Sequence, residues 1–119
     1  MGIKRQWKRL RDGYVRGQAA RAKLPDFSPS PICRVRITYM GRVQKVGFRL
    51  AVTELAKRLG LTGFCQNLPD GSVLTEIQGP KNRIEYLNTF LRSLKRIKIR
   101  QTITQVLDPD PTETDFFQR

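Results

Sequence analysis

The chain has 119 residues, the length of about one domain, and carries 23 Lys and Arg against 10 Asp and Glu, a formal charge of +13. It has no histidine and two cysteines. That excludes a Ser-His-Asp or Cys-His catalytic unit, a His-ligated metal, a four-thiolate zinc or iron–sulfur site and a cysteine-dense disulfide scaffold. No run approaches the roughly 18 apolar residues of a membrane span, and the surplus positive charge points to an anionic partner: phosphate groups, nucleic acid or acidic lipid.

The charge is concentrated at the start. Residues 1–30 hold eight basic side chains (Lys4, Arg5, Lys8, Arg9, Arg11, Arg16, Arg21, Lys23) and two acidic ones (Asp12, Asp26). Ile3, Trp7, Leu10 and Tyr14 recur at helical spacing and share one face, while Gly13 and Gly17 weaken the second half of such a helix. Two readings stay open. One is a basic amphipathic helix bound to nucleic acid or an anionic membrane, or acting as a targeting peptide; the other is a loose basic tail whose aromatic side chains rest on the domain. The apolar core of a secretory signal is missing. Leu24 to Pro31 then places three prolines in eight positions, which reads as a linker. Residues 1–32 are therefore expected to be a basic extension and Pro-rich linker, and residues 33–119 a domain.

From Cys33 the pattern changes. Val35, Ile37 and Tyr39 alternate with Arg34, Arg36 and Thr38, a half-buried strand. Met40 to Gly47 reads as a loop. Phe48, Ala51, Val52, Leu55, Ala56 and Leu59 follow helical spacing, and Gly60 ends that helix. Leu61 to Asn67 is a second strand, Leu68-Pro69-Asp70-Gly71 a turn, and Ser72 to Gln78 a third strand that completes a hairpin. Gly79-Pro80 opens a second helix with Ile84, Leu87, Leu91 and Leu94 on its apolar face. Ile97 to Leu107 is a fourth strand, and Thr114 to Gln118 a candidate closing strand. The order β-α-β-β-α-β predicts an α+β, ferredoxin-like sandwich: a mostly antiparallel sheet with two helices on one face.

The run Gly41-Arg42-Val43-Gln44-Lys45-Val46-Gly47-Phe48-Arg49 carries the chemistry. A glycine-flanked loop that enters a helix leaves backbone N–H groups without helical partners, and these can converge on an anion. Arg49 falls in the first helical turn, where a guanidinium can meet two phosphate oxygens at once. An ordinary strand-to-helix connection with a surface Arg would show the same spacing.

Together with Ala56-Lys57-Arg58-Leu59-Gly60-Leu61-Thr62-Gly63, Asn67 and Asp70-Gly71-Ser72-Val73, this run resembles the acylphosphatase family over about residues 33–119. The resemblance implies hydrolysis of the carboxyl–phosphate bond of small acyl phosphates, without metal or cofactor. It gives Arg49 and the amides of Gln44, Lys45, Val46, Gly47 and Phe48 the phosphate, or a sulfate in its place, and gives Asn67 the attacking water. Such a substrate has a good leaving group, so positioning and charge stabilisation supply much of the rate, and an Asn amide can hold a water through both its donor and its acceptor. Asn67 is also a residue that caps turns.

Two departures stand out. Lys45 occupies a position where the family usually has Gly; three outcomes stay open, a weakened site, an added cation beside the phosphate, or a side chain in solvent. Leu94-Lys95-Arg96-Ile97-Lys98 replaces a common Gly-Pro and adds positive surface. Cys65, two residues before Asn67, is expected to pack as a small apolar side chain. The expectation is thus a monomeric, cytoplasmic enzyme, with residues 1–30 available to nucleic acid or an anionic membrane. The alternative is a catalytically weakened module of the same fold that binds anions or nucleic acid.

Overall fold

A computed structural model describes residues 2–119, with side chains described from Arg11 onward. The elements are α1 (Gly2–Arg21), β1 (Ile32–Arg42), α2 (Phe48–Arg58), β2 (Thr62–Asn67), β3 (Val73–Pro80), α3 (Lys81–Ser93), β4 (Lys98–Leu107) and β5 (Phe116–Gln118). The strands form one sheet in the order β4-β1-β3-β2-β5, and every pairing is antiparallel except β2 with β5. This is the expected ferredoxin-like arrangement. The closing strand is shorter than expected, and it lies parallel to β2 at the sheet edge. Two further boundaries move. β1 continues to Arg42, so the loop before α2 shrinks to residues 43–47, and β3 runs through Pro80, so α3 opens at Lys81.

The pleat explains the layers. Ile37 and Tyr39 of β1, Cys65 of β2 and Val73, Thr75 and Ile77 of β3 are buried on the face that meets α2 and α3. The helices contribute Phe48, Val52, Leu55, Leu87 and Leu91 to the same core. Each such apolar side chain contributes roughly 1.5–3 kcal/mol on burial. Tyr39 donates to the side-chain carbonyl of Asn88, and burial pushes its phenol well above its ordinary range. Gly63 shows why this core tolerates no side chain at one crossing. At φ +133°, a Cβ there would fall 1.9 Å from the Glu76 carbonyl of the neighbouring strand.

The opposite face carries polar residues with a defined task. Arg34 donates to Glu113 at 2.7 Å and to Glu76 at 3.1 Å, and Arg36 donates to Glu76 at 2.8 Å. Burial works to raise the Glu76 carboxyl, but the Arg36 and Arg34 guanidiniums overcome it and hold that carboxyl below its ordinary value. Gln78 exchanges two hydrogen bonds with the backbone of Asp110, at 2.9 and 2.6 Å. These contacts strap the segment after β4 across the sheet and deliver β5 to the edge of β2, beside the loop that precedes α2.

The extension is folded onto this body. α1 packs on α2. Among its described side chains Val15 and Ala19 are buried, whereas Tyr14 stays 43% exposed under the Arg96 guanidinium. Tyr14 therefore does not share the buried face; Ile3, Trp7 and Leu10 lie outside the described side chains. The Pro-rich stretch is also tied down. Pro31 and Ser30 accept the first N–H groups of α3, from Lys81 at 2.9 Å and Asn82 at 3.1 Å, and so serve its N-terminus. Among the described residues, no helix is long and apolar enough to cross a membrane.

Candidate active site

A cleft of about 480 Å³ opens where the loop after β1, the start of α2 and the end of β2 converge. Val43, Lys45, Gly47, Phe48, Arg49 and Leu50 line it from the loop and α2, and Asn67 and Gln118 from β2 and β5. Arg11, Asp12 and Arg16 of α1 complete the wall. Four cations and one carboxylate thus border the cleft, an arrangement that favours an anion.

Local sequence dictates the loop. Val43 and Val46 are buried and anchor it from below. Gln44 turns its amide away from the cleft and donates to the carbonyls of Leu68 and Ser72, both at 2.8 Å, which locks the loop to the β2–β3 turn. Of the residues expected in the phosphate loop, the Gln44 side chain is therefore a tether, and Val46 contributes no side chain to the lining. Lys45 has φ 62° and Gly47 φ 83°, so two residues in the left-handed region bracket Val46. Gly47 is also the N-cap residue of α2, with no side-chain cap. Among the described residues, the N–H groups of Lys45 to Arg49 make no hydrogen bond. Alternation of left- and right-handed backbone at a helix N-terminus turns successive N–H groups toward one anion.

Lys45 itself adopts the left-handed conformation, at a cost of roughly 1–2 kcal/mol for an L-residue. Lys45→Gly removes that cost and returns about 0.5–1 kcal/mol of it as unfolded-chain entropy, so its melting temperature is expected to rise by about 2–5 °C. Thermal denaturation followed by circular dichroism checks this, and a lower midpoint would show that the loop holds Lys45 without strain.

Arg49 extends from the first turn of α2 and donates to the carbonyl of Arg119 at 2.7 Å. Arg119 in turn donates its N–H to Cys65 of β2 at 2.7 Å, and stacks its guanidinium 3.8 Å from the Phe64 ring centroid. The chain just beyond β5 therefore steadies Arg49, a contact that no motif in the sequence signalled. Asn67 ends β2 with an exposed amide that makes no hydrogen bond among the described residues. The turn beyond it is closed without Asn67. Leu68 and Ser72 pair across it at 2.9 Å, and the Asp70 carboxylate accepts from the Ser72 N–H and hydroxyl at 3.0 and 2.5 Å. Those two bonds hold the Asp70 carboxyl below its ordinary value.

Cys65 lies one step deeper on the same face as Asn67 and is fully buried. Burial pushes its thiol up to about 11, against the opposing effects of the Thr53 hydroxyl and Arg49. A thiol that stays protonated is no nucleophile at neutral pH, in keeping with a packing role. Both cysteines are free. Among the described residues, no group of three His, Cys, Asp or Glu is placed to hold a metal ion.

The family model described as Acylphosphatase matches residues 35–117. The chain belongs to the acylphosphatase family. An acylphosphatase of Trichormus variabilis is 43% identical over 63 residues, 52% of this chain and 62% of that protein. This chain thus aligns with less than two thirds of that relative's length. The crystal structure of an acylphosphatase from Bacillus subtilis superposes with a TM-score of 0.67 at 26% identity, and covers 75% of this chain and 99% of its own. An acylphosphatase from Coxiella burnetii gives 0.66 at 26%, over 74% of this chain and 93% of its own. The acylphosphatase match begins after α1, so Arg11, Asp12 and Arg16 join the cleft from outside the family unit.

Proposed function

We propose that the protein is an acylphosphatase that hydrolyses small acyl phosphates to a carboxylate and inorganic phosphate, with no metal or cofactor. The observation that carries this reading is that Lys45, Gly47, Phe48, Arg49 and Asn67 line one cationic cleft, while among the described residues the N–H groups of Lys45 to Arg49 and the Asn67 side-chain amide make no hydrogen bond. The loop amides from Gln44 to Phe48 and Arg49 hold the phosphoryl oxygens. Asn67 holds a water for attack on phosphorus. The phosphorus–oxygen bond to the acyl group breaks, the carboxylate leaves with the bonding pair, and the water proton ends on the product phosphate. No strong protein base is needed, because the transition state of such a transfer is loose and the leaving group is weakly basic. Catalysis then rests on positioning and on charge stabilisation, which amides and a guanidinium supply.

Residues 33–119 form the catalytic unit in this reading, and residues 1–32 a basic extension and Pro-rich linker, of which Ile32 already pairs with β3 in the sheet. The protein acts as a monomer in a reducing compartment such as the cytoplasm, as its two free thiols suit. The test is release of phosphate from acetyl phosphate with excess chelator present. A kcat in the usual enzymatic range of about 1–10³ s⁻¹ is expected. Salt-sensitive binding of RNA or of anionic vesicles without acyl phosphate turnover would instead favour an anion-binding module.

A further inference from the structure

The second half of α1 reaches the phosphate loop at its two unusual residues. Arg11 Nη1 donates to the Lys45 carbonyl at 2.6 Å, across 34 positions of sequence. Asp12 orients that guanidinium from its other edge, with Oδ1 3.2 Å from both Nε and Nη2. One turn on, Val15 is buried directly over Gly47. A Cβ at Gly47 would come within 2.8 Å of Val15 Cγ2, so the glycine serves the helix contact as well as its own φ of 83°. Lys45 and Gly47 are the two left-handed residues of the loop, and α1 touches both.

The rest of the extension secures this contact. Arg58 of α2 donates to the carbonyls of Ala19 and Ala22 at 2.6 and 2.8 Å, and so satisfies acceptors that the end of α1 would leave open. Arg16 meets Glu54 of α2 at 3.5 Å.

A trans peptide points its N–H opposite to its C=O, and no peptide bond of the described chain is cis. A guanidinium that holds the Lys45 carbonyl therefore also sets the direction of the Val46 N–H. Lys45 has no glycine to ease its left-handed backbone, so the loop has reason to rotate this peptide unless something restrains it. We propose that α1 is a working part of the phosphate site, with Arg11 as a positioning residue that holds the Lys45–Val46 peptide so that the Val46 N–H meets the phosphate. The inference rests on the acyl phosphate reading above. It also accounts for a basic extension that the family unit lacks and for Lys in place of Gly: the restraint that glycine makes unnecessary elsewhere is supplied here by a second element.

The experiment uses the full chain. Binding of inorganic phosphate by calorimetry, and kcat and KM on acetyl phosphate, are measured for the wild type, Arg11→Met, Arg11→Lys and Arg58→Met. Arg11→Met is expected to weaken phosphate binding by about tenfold and to lower kcat/KM at least as much, the scale of one charge-assisted hydrogen bond. Arg58→Met loosens α1 at its far end. It is expected to lower the melting temperature and leave phosphate affinity within about twofold, which separates positioning from mere docking. Phosphate affinity in Arg11→Met within about twofold of wild type overturns the inference, as does an equal loss in Arg58→Met. Should Arg11→Met not fold, Arg11→Lys decides. Its shorter reach is expected to weaken phosphate about threefold, and wild-type affinity there overturns the inference. A wild type that neither binds phosphate nor turns over acetyl phosphate overturns the functional reading and this inference with it. An active wild type matched by Arg11→Met overturns the inference alone.

Discussion

Arg49→Ala is expected to lower kcat/KM for acetyl phosphate by about 10³-fold or more, close to 4 kcal/mol of transition-state stabilisation. The guanidinium is the one side-chain cation that enters the cleft from the first turn of α2, next to the N–H groups of the loop. Its planar fork can meet two phosphoryl oxygens while Nη1 stays anchored on the Arg119 carbonyl. The charge on those oxygens is redistributed as the acyl oxygen departs, so an interaction preorganised for the transition state is lost from kcat as well as from KM. The anchoring bond is exposed, so the melting temperature is expected to shift by no more than a few degrees. Steady-state kinetics with a parallel thermal melt check both halves. An alanine variant within tenfold of wild type would remove Arg49 from the phosphate site.

Asn67→Ala is expected to behave differently. kcat falls by about 10²- to 10³-fold, while competitive inhibition by inorganic phosphate changes less than about twofold. Asn67 lines the cleft from the end of β2, where an amide can order a water. Its side chain makes no hydrogen bond among the described residues, and Asp70 already closes the following turn, so truncation should cost little stability. A KM or phosphate affinity that worsens with kcat unchanged would make Asn67 a binding residue and leave the water without a holder. Read together, the two variants separate phosphate binding from water activation, which a single loss of activity would not do.

How much of this was legible follows from how local each signal is. The loop before α2, Arg49 and the first turn of α2 are contiguous, so one run of nine residues from Gly41 to Arg49 contains most of the proposed phosphate site. The strands announce themselves by alternation because one face of the sheet is buried, and β1 and β3 follow that rule at Ile37, Tyr39, Val73 and Ile77. β4 follows it poorly. It is an edge strand, and Val106, although it pairs with Val35 and so lies on the helix side of the sheet, is 84% exposed. The largest apolar face of the extension, through Tyr14, was the obvious candidate for packing. Among the described side chains of α1, those that bury are the smaller Val15 and Ala19, where α1 meets Gly47 and Arg58.

By itself, then, the amino-acid sequence determined the order of elements from β1 to β5, the sandwich they form, and which residues to propose for a phosphate site: the loop before α2, Arg49 and Asn67. Each of these depends on spacing within a few turns or strand steps, which periodicity and short motifs express directly. Only the tertiary structure decided that Arg119 steadies Arg49, that Gln44 locks the loop to the β2–β3 turn, and that Arg11 holds the Lys45 carbonyl. Those contacts join residues 70, 24 or 28, and 34 positions apart. Which side chains meet across such distances is set by how whole elements pack, and no local pattern encodes that.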